Sequence, residues 1–305
     1  MLDTNIFCPI QNKKLFKSNF KDLDLCLKPD YLIHPTISGN KYRKLKYNLE
    51  EIKNRNHNTV LTFGGAFSNH ISAVAAVGRD FGLNTIGVIR GEELEKNHHD
   101  NATLTFAKAC GMTLKFISRE AYRDKESREY LDSLKHEFGD YYMLPEGGTN
   151  SLAIKGCEEI LNSEDTMFDY ICCSVGTGGT ISGLINSSFP HQKIIGFPAL
   201  KGGFLNKEIH KFATKDNWTL IEDYHFGGYA KINNDLIGFI NTFKSHYDIP
   251  LDPIYTGKMM YGIFDLMKKG YFPESSKILA IHTGGLQGIE GMNLKLKQKQ
   301  LPLIR

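Results

Sequence analysis

The sequence predicts an α/β protein built from two open, twisted, mostly parallel sheets flanked by helices. Three observations carry that expectation. From Thr59 onward, short apolar runs alternate with segments of helical period, the pattern of parallel strands covered by helices. Two of those runs end in glycine-rich turns, Gly64-Gly65-Ala66-Phe67-Ser68-Asn69-His70 and Ser174-Val175-Gly176-Thr177-Gly178-Gly179-Thr180. The chain has 305 residues, 41% hydrophobic and 23% charged, which suits a globular enzyme with one large or two medium cores.

In chain order, 60–63 reads as a strand and 68–81 as a helix, with Ser68 as N-cap and Ile71, Val74, Ala75 and Gly78 on one buried face. Strands follow at 85–89, 113–117 and 142–144, with a helix at 102–110. The charged, aromatic stretch 119–142 contains a polar-faced helix at 126–138 and is where a unit edge is expected. A second series has helices at 152–161 and from Gly179, with strands at 170–174 and 193–197. Helices at 234–243 and 258–268 and a strand at 278–282 complete it.

Composition removes several function classes. The net charge of +3 arises from 37 basic and 34 acidic residues spread along the chain, not the stripe of a nucleic-acid binder. No stretch reaches the roughly eighteen apolar residues of a membrane span, and Met1 to Asn5 lacks a leader pattern, so the expectation is a cytoplasmic protein. Cys8, Cys26, Cys110, Cys157, Cys172 and Cys173 contain no C-x-x-C pair, which points to reduced, buried thiols and to no metal. His98-His99-Asp100 reads as a solvated helix start, since adjacent histidines rarely face one ion.

Chemistry gathers at a lysine and at the glycine turns. Lys41 lies in Ile37-Ser38-Gly39-Asn40-Lys41-Tyr42-Arg43-Lys44-Leu45. Lysine is the common side chain whose amine condenses with an aldehyde, and its pKa falls readily in a desolvated, electropositive site. The same residues also read as three solvated charges ahead of a helix. The turn at Gly64 would present N–H groups and a helix dipole to an anion such as a carboxylate, or would merely be a tight turn capped by Ser68.

The turn Gly176 to Thr180 offers several donors to one phosphate. It is not a Walker loop, and Gly257-Lys258 is followed by Met259. Nor is it a dinucleotide fingerprint, because Ile181 stands at the third glycine position. Asp252-Pro253-Ile254-Tyr255-Thr256-Gly257-Lys258 and Ile281-His282-Thr283-Gly284-Gly285 are two further turns that would gather at the carboxyl ends of strands. A lysine amine with a phosphate cradle suggests pyridoxal 5'-phosphate.

On these residues the chain, from about Leu25 to Gly288, resembles the pyridoxal-phosphate enzymes grouped with 1-aminocyclopropane-1-carboxylate deaminase and D-cysteine desulfhydrase. They share the tryptophan synthase beta-like fold, fold type II. The resemblance implies a large cofactor domain from 1–44 and 150–305, a small domain from 45–149, and a homodimer. It places the Schiff-base lysine at Lys41, a phosphate contact at Lys44, and the phosphate cup at Gly176, Thr177, Gly178, Gly179 and Thr180.

The same resemblance puts Ser68 beside the substrate and Asn69 beside the cofactor's phenolic oxygen, and makes Tyr229 and Tyr255 active-site tyrosines; the expected catalytic residues are Lys41, Ser68, Tyr229 and Tyr255, and the expected substrate contacts Ser68, Asn69, His70 and Thr283. It aligns Thr256 with the residue facing the pyridine nitrogen and Thr283 with the desulfhydrase branch, and it sets Phe67 where relatives carry a glutamine next to the substrate serine. A hydroxyl at the ring nitrogen makes a weaker electron sink than a glutamate would. The expectation is a lyase acting on a small amino acid, by α,β-elimination of D-cysteine to pyruvate, ammonia and sulfide. Deamination of the cyclopropane acid to 2-oxobutyrate is the second reading, and a cofactor carrier without turnover the third.

Overall fold

The computed structural model describes residues 10–17 and 22–305; Cys8 lies outside the described residues. The chain enters as an antiparallel pair, β1 (Lys13–Lys17) and β2 (Asp24–Lys28), then forms helix α1 (Asn40–Asn54). Next come β3 (Thr59–Gly65), α2 (Asn69–Phe81), β4 (Asn84–Arg90), α3 (Ala102–Ala109), β5 (Thr113–Ile117), α4 (Arg128–Phe138) and β6 (Tyr142–Leu144). The remainder alternates α5 (Ser151–Glu158), β7 (Tyr170–Val175), α6 (Gly179–Ser187), β8 (Lys193–Pro198), α7 (Phe204–His210) and β9 (Trp218–Leu220). Two consecutive helices, α8 (Asn234–Tyr247) and α9 (Thr256–Lys268), lead into β10 (Lys277–Ile281) and α10 (Gly288–Gln298).

The strands make two sheets, a six-stranded one ordered β1-β2-β10-β7-β8-β9 and a four-stranded one ordered β5-β4-β3-β6. Every pairing is parallel except β1 with β2. Parallel strands buried on both faces read as continuous apolar runs. In β10, Ile278 and Ala280 join one core while Leu279 and Ile281 join the core on the opposite face; Cys172 and Cys173 of β7 split the same way. The expected unit edge at 119–142 is not an edge between sheets. That stretch is a crossover, and β6 returns to pair with β3, since Leu61 and Thr62 take Met143 and Leu144 as partners.

Helix α1 ties the two sheets together. Gly39, at φ 58°, precedes it so closely against the end of β10 that a Cβ there would stand 2.0 Å from the Thr283 carbonyl oxygen. The Asn40 N–H donates to that carbonyl at 3.1 Å. Tyr42, Leu45, Asn48 and Ile52, three or four residues apart, form the buried face. Lys41 and Lys44 therefore fall in the first two turns of the helix, not ahead of it. Arg43 turns away and is neutralised by Asp30 at 2.9 Å.

Candidate active site

A cavity of about 340 Å³ opens between the carboxyl ends of the two sheets, within the size range of small-molecule sites. Its wall carries Lys41, Lys44, Ser68, Asn69, His70, Gly176 to Thr180, Tyr229, Tyr255 and Thr283. The expected site residues thus converge on one space, with one exception. Thr256 is fully buried and does not line the cavity. Its hydroxyl donates to Asp252 Oδ2 at 2.6 Å and accepts from the Asp252 N–H at 3.0 Å.

Asp252 explains that displacement. One carboxylate oxygen accepts the N–H groups of Ile254 and Tyr255, and the other accepts the N–H and hydroxyl of Thr256. The acid is spent on starting helix α9 and on holding Tyr255 at its N-cap. Thr283, unlike Thr256, lies on the cavity wall, its hydroxyl 3.3 Å from the Ser174 hydroxyl. Phe67 is likewise turned out of the cavity: its ring lies 3.8 Å beneath Lys295 Nζ and against Gly291 of α10.

The lysines are unlike the exposed ones. Burial first, then the charge of Lys44, pushes the Lys41 pKa well below the ordinary lysine value. Its Nζ donates to the Gly147 carbonyl at 3.3 Å. Lys44 Nζ donates to the same carbonyl at 3.0 Å, to Thr149 Oγ1 at 2.9 Å and to Thr177 Oγ1 at 3.4 Å, and its pKa is also lowered by burial. It sits at the glycine turn that opens α6, where a Cβ on Gly179 would be 3.0 Å from Lys44 Nζ and 2.8 Å from Thr149 Oγ1. Gly178, at φ 86°, caps α6 without a side chain, so the first N–H groups of the helix stay available. Asn40 braces the turn by donating to Thr180 Oγ1 at 2.9 Å.

At the opposite corner Ser68 caps α2, its Oγ accepting the Ile71 N–H at 3.3 Å. The helix cannot satisfy the N–H groups of Asn69 and His70, which begin its first turn. The His70 ring has a fixed tautomer. The single proton of the Thr62 hydroxyl goes to the Leu144 carbonyl at 3.0 Å, so at 2.9 Å that hydroxyl accepts from His70 Nε2. Nδ1 is left as a bare, buried acceptor with no partner among the described residues. Burial, then Lys41 and Lys44, hold the ring neutral with a pKa well below the usual histidine value.

The tyrosines face each other across the mouth, with ring centroids 6.3 Å apart at 64°. Burial raises both hydroxyl pKa values, that of Tyr255 well above the ordinary one with Tyr229 adding to the rise, so both keep their protons at neutral pH. Lys258 steadies the loop bearing Tyr229 by donating to the carbonyls of His225 and Gly228, each at 2.8 Å.

Sequence reasoning missed part of the wall, namely Glu146 and Gly147, with Asn40, Arg90, Ser174, Leu200 and Phe204. A signal existed for the first pair. Pro145-Glu146-Gly147-Gly148-Thr149-Asn150 follows a strand, carries two glycines and ends in a helix cap, the pattern that singled out the Gly64 turn. His98–Asp100 forms a short exposed 3₁₀ turn away from the cavity. Among the described residues no helix is long and apolar enough to cross a membrane.

Comparison with known proteins agrees with this geometry. The family of pyridoxal-phosphate dependent enzymes matches residues 9–284. A bifunctional D-cysteine desulfhydrase/1-aminocyclopropane-1-carboxylate deaminase, mitochondrial, of Arabidopsis thaliana is 30% identical over 305 residues, covering 87% of this chain and 73% of that protein. A 1-aminocyclopropane-1-carboxylate deaminase of Bradyrhizobium sp. is 28% identical over 284 residues, covering 84% of each. The crystal structure of an ACC deaminase homologue superposes with a TM-score of 0.80 at 28% identity, covering 96% of this chain and 94% of that one.

The residues present fit the family's cofactor. A buried amine of depressed pKa shares the cavity with a helix N-terminus that no side chain caps, and a second buried lysine sits beside that turn. With two mostly parallel sheets, a lysine between them and a match over most of its length, the chain belongs to the family of pyridoxal-phosphate dependent enzymes, fold type II.

Proposed function

We propose that this enzyme is a lyase that removes a β-substituent and the amino group from a small D-amino acid, with D-cysteine giving pyruvate, ammonia and sulfide after uptake of one water. The observation that carries the reading is Thr283. It brings a neutral hydroxyl to the cavity wall, while the buried acid Asp252 stands off that wall and is used up on the N-terminus of α9. When bound, the cofactor would supply an aldehyde and an electron-accepting ring, and a neutral hydroxyl such as that of Thr283, in place of an acid, would leave that ring the weaker acceptor. That suffices where negative charge leaves with the β-substituent.

The chain's own groups divide the remaining work. Lys41 must lose its proton to condense with an aldehyde, and burial supplies that state without a neighbouring carboxylate. Lys44 and the turn Gly176 to Thr180 hold the phosphate, and Ser68, Asn69 and the N-terminus of α2 hold the substrate carboxylate. Once free, Lys41 Nζ takes the α-proton. Tyr229 and Tyr255, both protonated, donate to the departing group.

Ring opening of 1-aminocyclopropane-1-carboxylate is a second reading, supported by the names of the relatives. One assay separates the two. Purified enzyme incubated with D-cysteine is expected to release pyruvate and sulfide, and with the cyclopropane acid to release little 2-oxobutyrate. The reverse ratio overturns the first reading in favour of the second.

A further inference from the structure

Arg90 is a cavity-lining residue to which nothing so far gives a role. It ends β4, and in the parallel pairing of β3 with β4 it stands opposite Gly65, the residue that begins the turn into α2. Its guanidinium carbon lies 5.6 Å from the centre of the Tyr122 ring, a distance at which a cation is held over an aromatic face. Tyr122 is itself buried and packs edge-on against Phe63 of β3, so the platform is fixed. One guanidinium nitrogen lies 3.6 Å from where a Cβ on Gly65 would be, which brings the group alongside the Gly65-to-Ser68 turn.

Among the described residues no carboxylate stands within ion-pair distance of Arg90; Glu146, on the same cavity wall, pairs with Lys125 at 3.3 Å. Arg43, by contrast, meets Asp30 directly. Arg90 is exposed and lines the same cavity as Tyr229. An unpaired guanidinium beside an N-terminal helix turn makes a matched pair of donors for one planar anion, since arginine offers two parallel N–H groups to a carboxylate.

We infer that Arg90 is a substrate-binding residue that grips the α-carboxylate of the incoming amino acid together with the N-terminus of α2. This rests on the amino-acid reading of the site given above but not on which amino acid is turned over. It adds a specificity element on the strand next to the Ser68 turn: a ligand with a free carboxylate is selected over its amide or amine counterpart.

The test compares holoenzyme and its Arg90→Gln and Arg90→Lys variants by the absorbance change of the bound cofactor on titration with both enantiomers of alanine, with alaninamide and with aspartate. Alanine offers the amine and the carboxylate but no leaving group. Arg90→Gln is expected to weaken the binding of alanine at least ten-fold and to leave alaninamide within two-fold, with Arg90→Lys recovering part of the loss. Equal losses for alanine and alaninamide, or no loss for either, overturn the inference. So does a loss confined to aspartate, which would mean that the guanidinium reads a side-chain acid. If wild-type protein shows no cofactor absorbance at all, the failure belongs to the amino-acid reading and not to Arg90.

Discussion

Two corners of the molecule are built on one plan and furnished differently. At the first, β3 runs through Gly64 and Gly65 into α2; at the second, β7 runs through Gly176 into α6. Each is a buried parallel strand delivering a helix N-terminus to the same cavity, the ordinary way an α/β fold makes an anion site. Yet α2 begins with a side-chain cap from Ser68 and has exposed Arg90 beside it, whereas α6 begins with bare Gly178 and has buried Lys44 beneath it. The backbone provides attraction for an anion, and the surrounding charge and access decide which anion. A buried cation suits a phosphate that stays, and a rim cation suits a carboxylate that comes and goes.

The contrast can be broken at the second corner first. Gly179→Val drives a branched side chain into Lys44 Nζ and Thr149, and cofactor affinity is expected to fall a hundred-fold or more in equilibrium dialysis, with the fold intact by circular dichroism. Wild-type affinity in that variant would mean the phosphate binds elsewhere. Lys44→Met keeps the stem but removes three donated hydrogen bonds. Losing the one charge-assisted bond that Lys44 would make to the phosphate, at about 1.5 to 3 kcal/mol, should weaken cofactor binding roughly ten- to a hundred-fold.

At the first corner the effects separate. Ser68→Ala removes the cap, costing about 1 kcal/mol of stability, and is expected to raise the substrate KM several-fold while cofactor affinity stays unchanged. A parallel fall in cofactor affinity would erase the distinction between the corners.

The smallest effect is a pH slope. Burial lowers the Lys258 pKa from 10.5 to about 8, so between those values the unfolded chain binds a proton that the folded chain does not. The contribution of Lys258 to stability therefore rises with pH from about 8 to 9.5, while the buried thiols Cys157, Cys172 and Cys173, whose pKa values burial raises, pull the other way alike in wild type and variant. The slope of stability against pH should be less positive for Lys258→Met than for wild type in denaturant titrations of the apoprotein. Identical slopes would show that Lys258 is charged in the fold.

How much of this was readable beforehand follows from how local each determinant is. The strand at 60–63, its helix and the Ser68 cap were readable because alternation, period and cap all lie within 22 residues. The strands β1 and β2 were not, nor was β9, because short edge or antiparallel segments carry no distinctive apolar run. In the site, Lys41 and the cup were marked by glycines, whereas Arg90 looked like any charged strand end until β4 was laid beside Gly65. Thr256 lies off the cavity wall for a tertiary reason: a capping carboxylate four residues earlier holds its hydroxyl, and resemblance to relatives does not reveal where a side chain points.

The central claim is that one amine, Lys41, set between those two corners, bonds to the cofactor aldehyde. Reduction of holoenzyme with borohydride, digestion and mass mapping tests it most directly. The account predicts the reduced pyridoxyl phosphate on the peptide containing Lys41, and no incorporation there in Lys41→Ala. A label on Lys44 or on another lysine, with Lys41 unmodified, would contradict it.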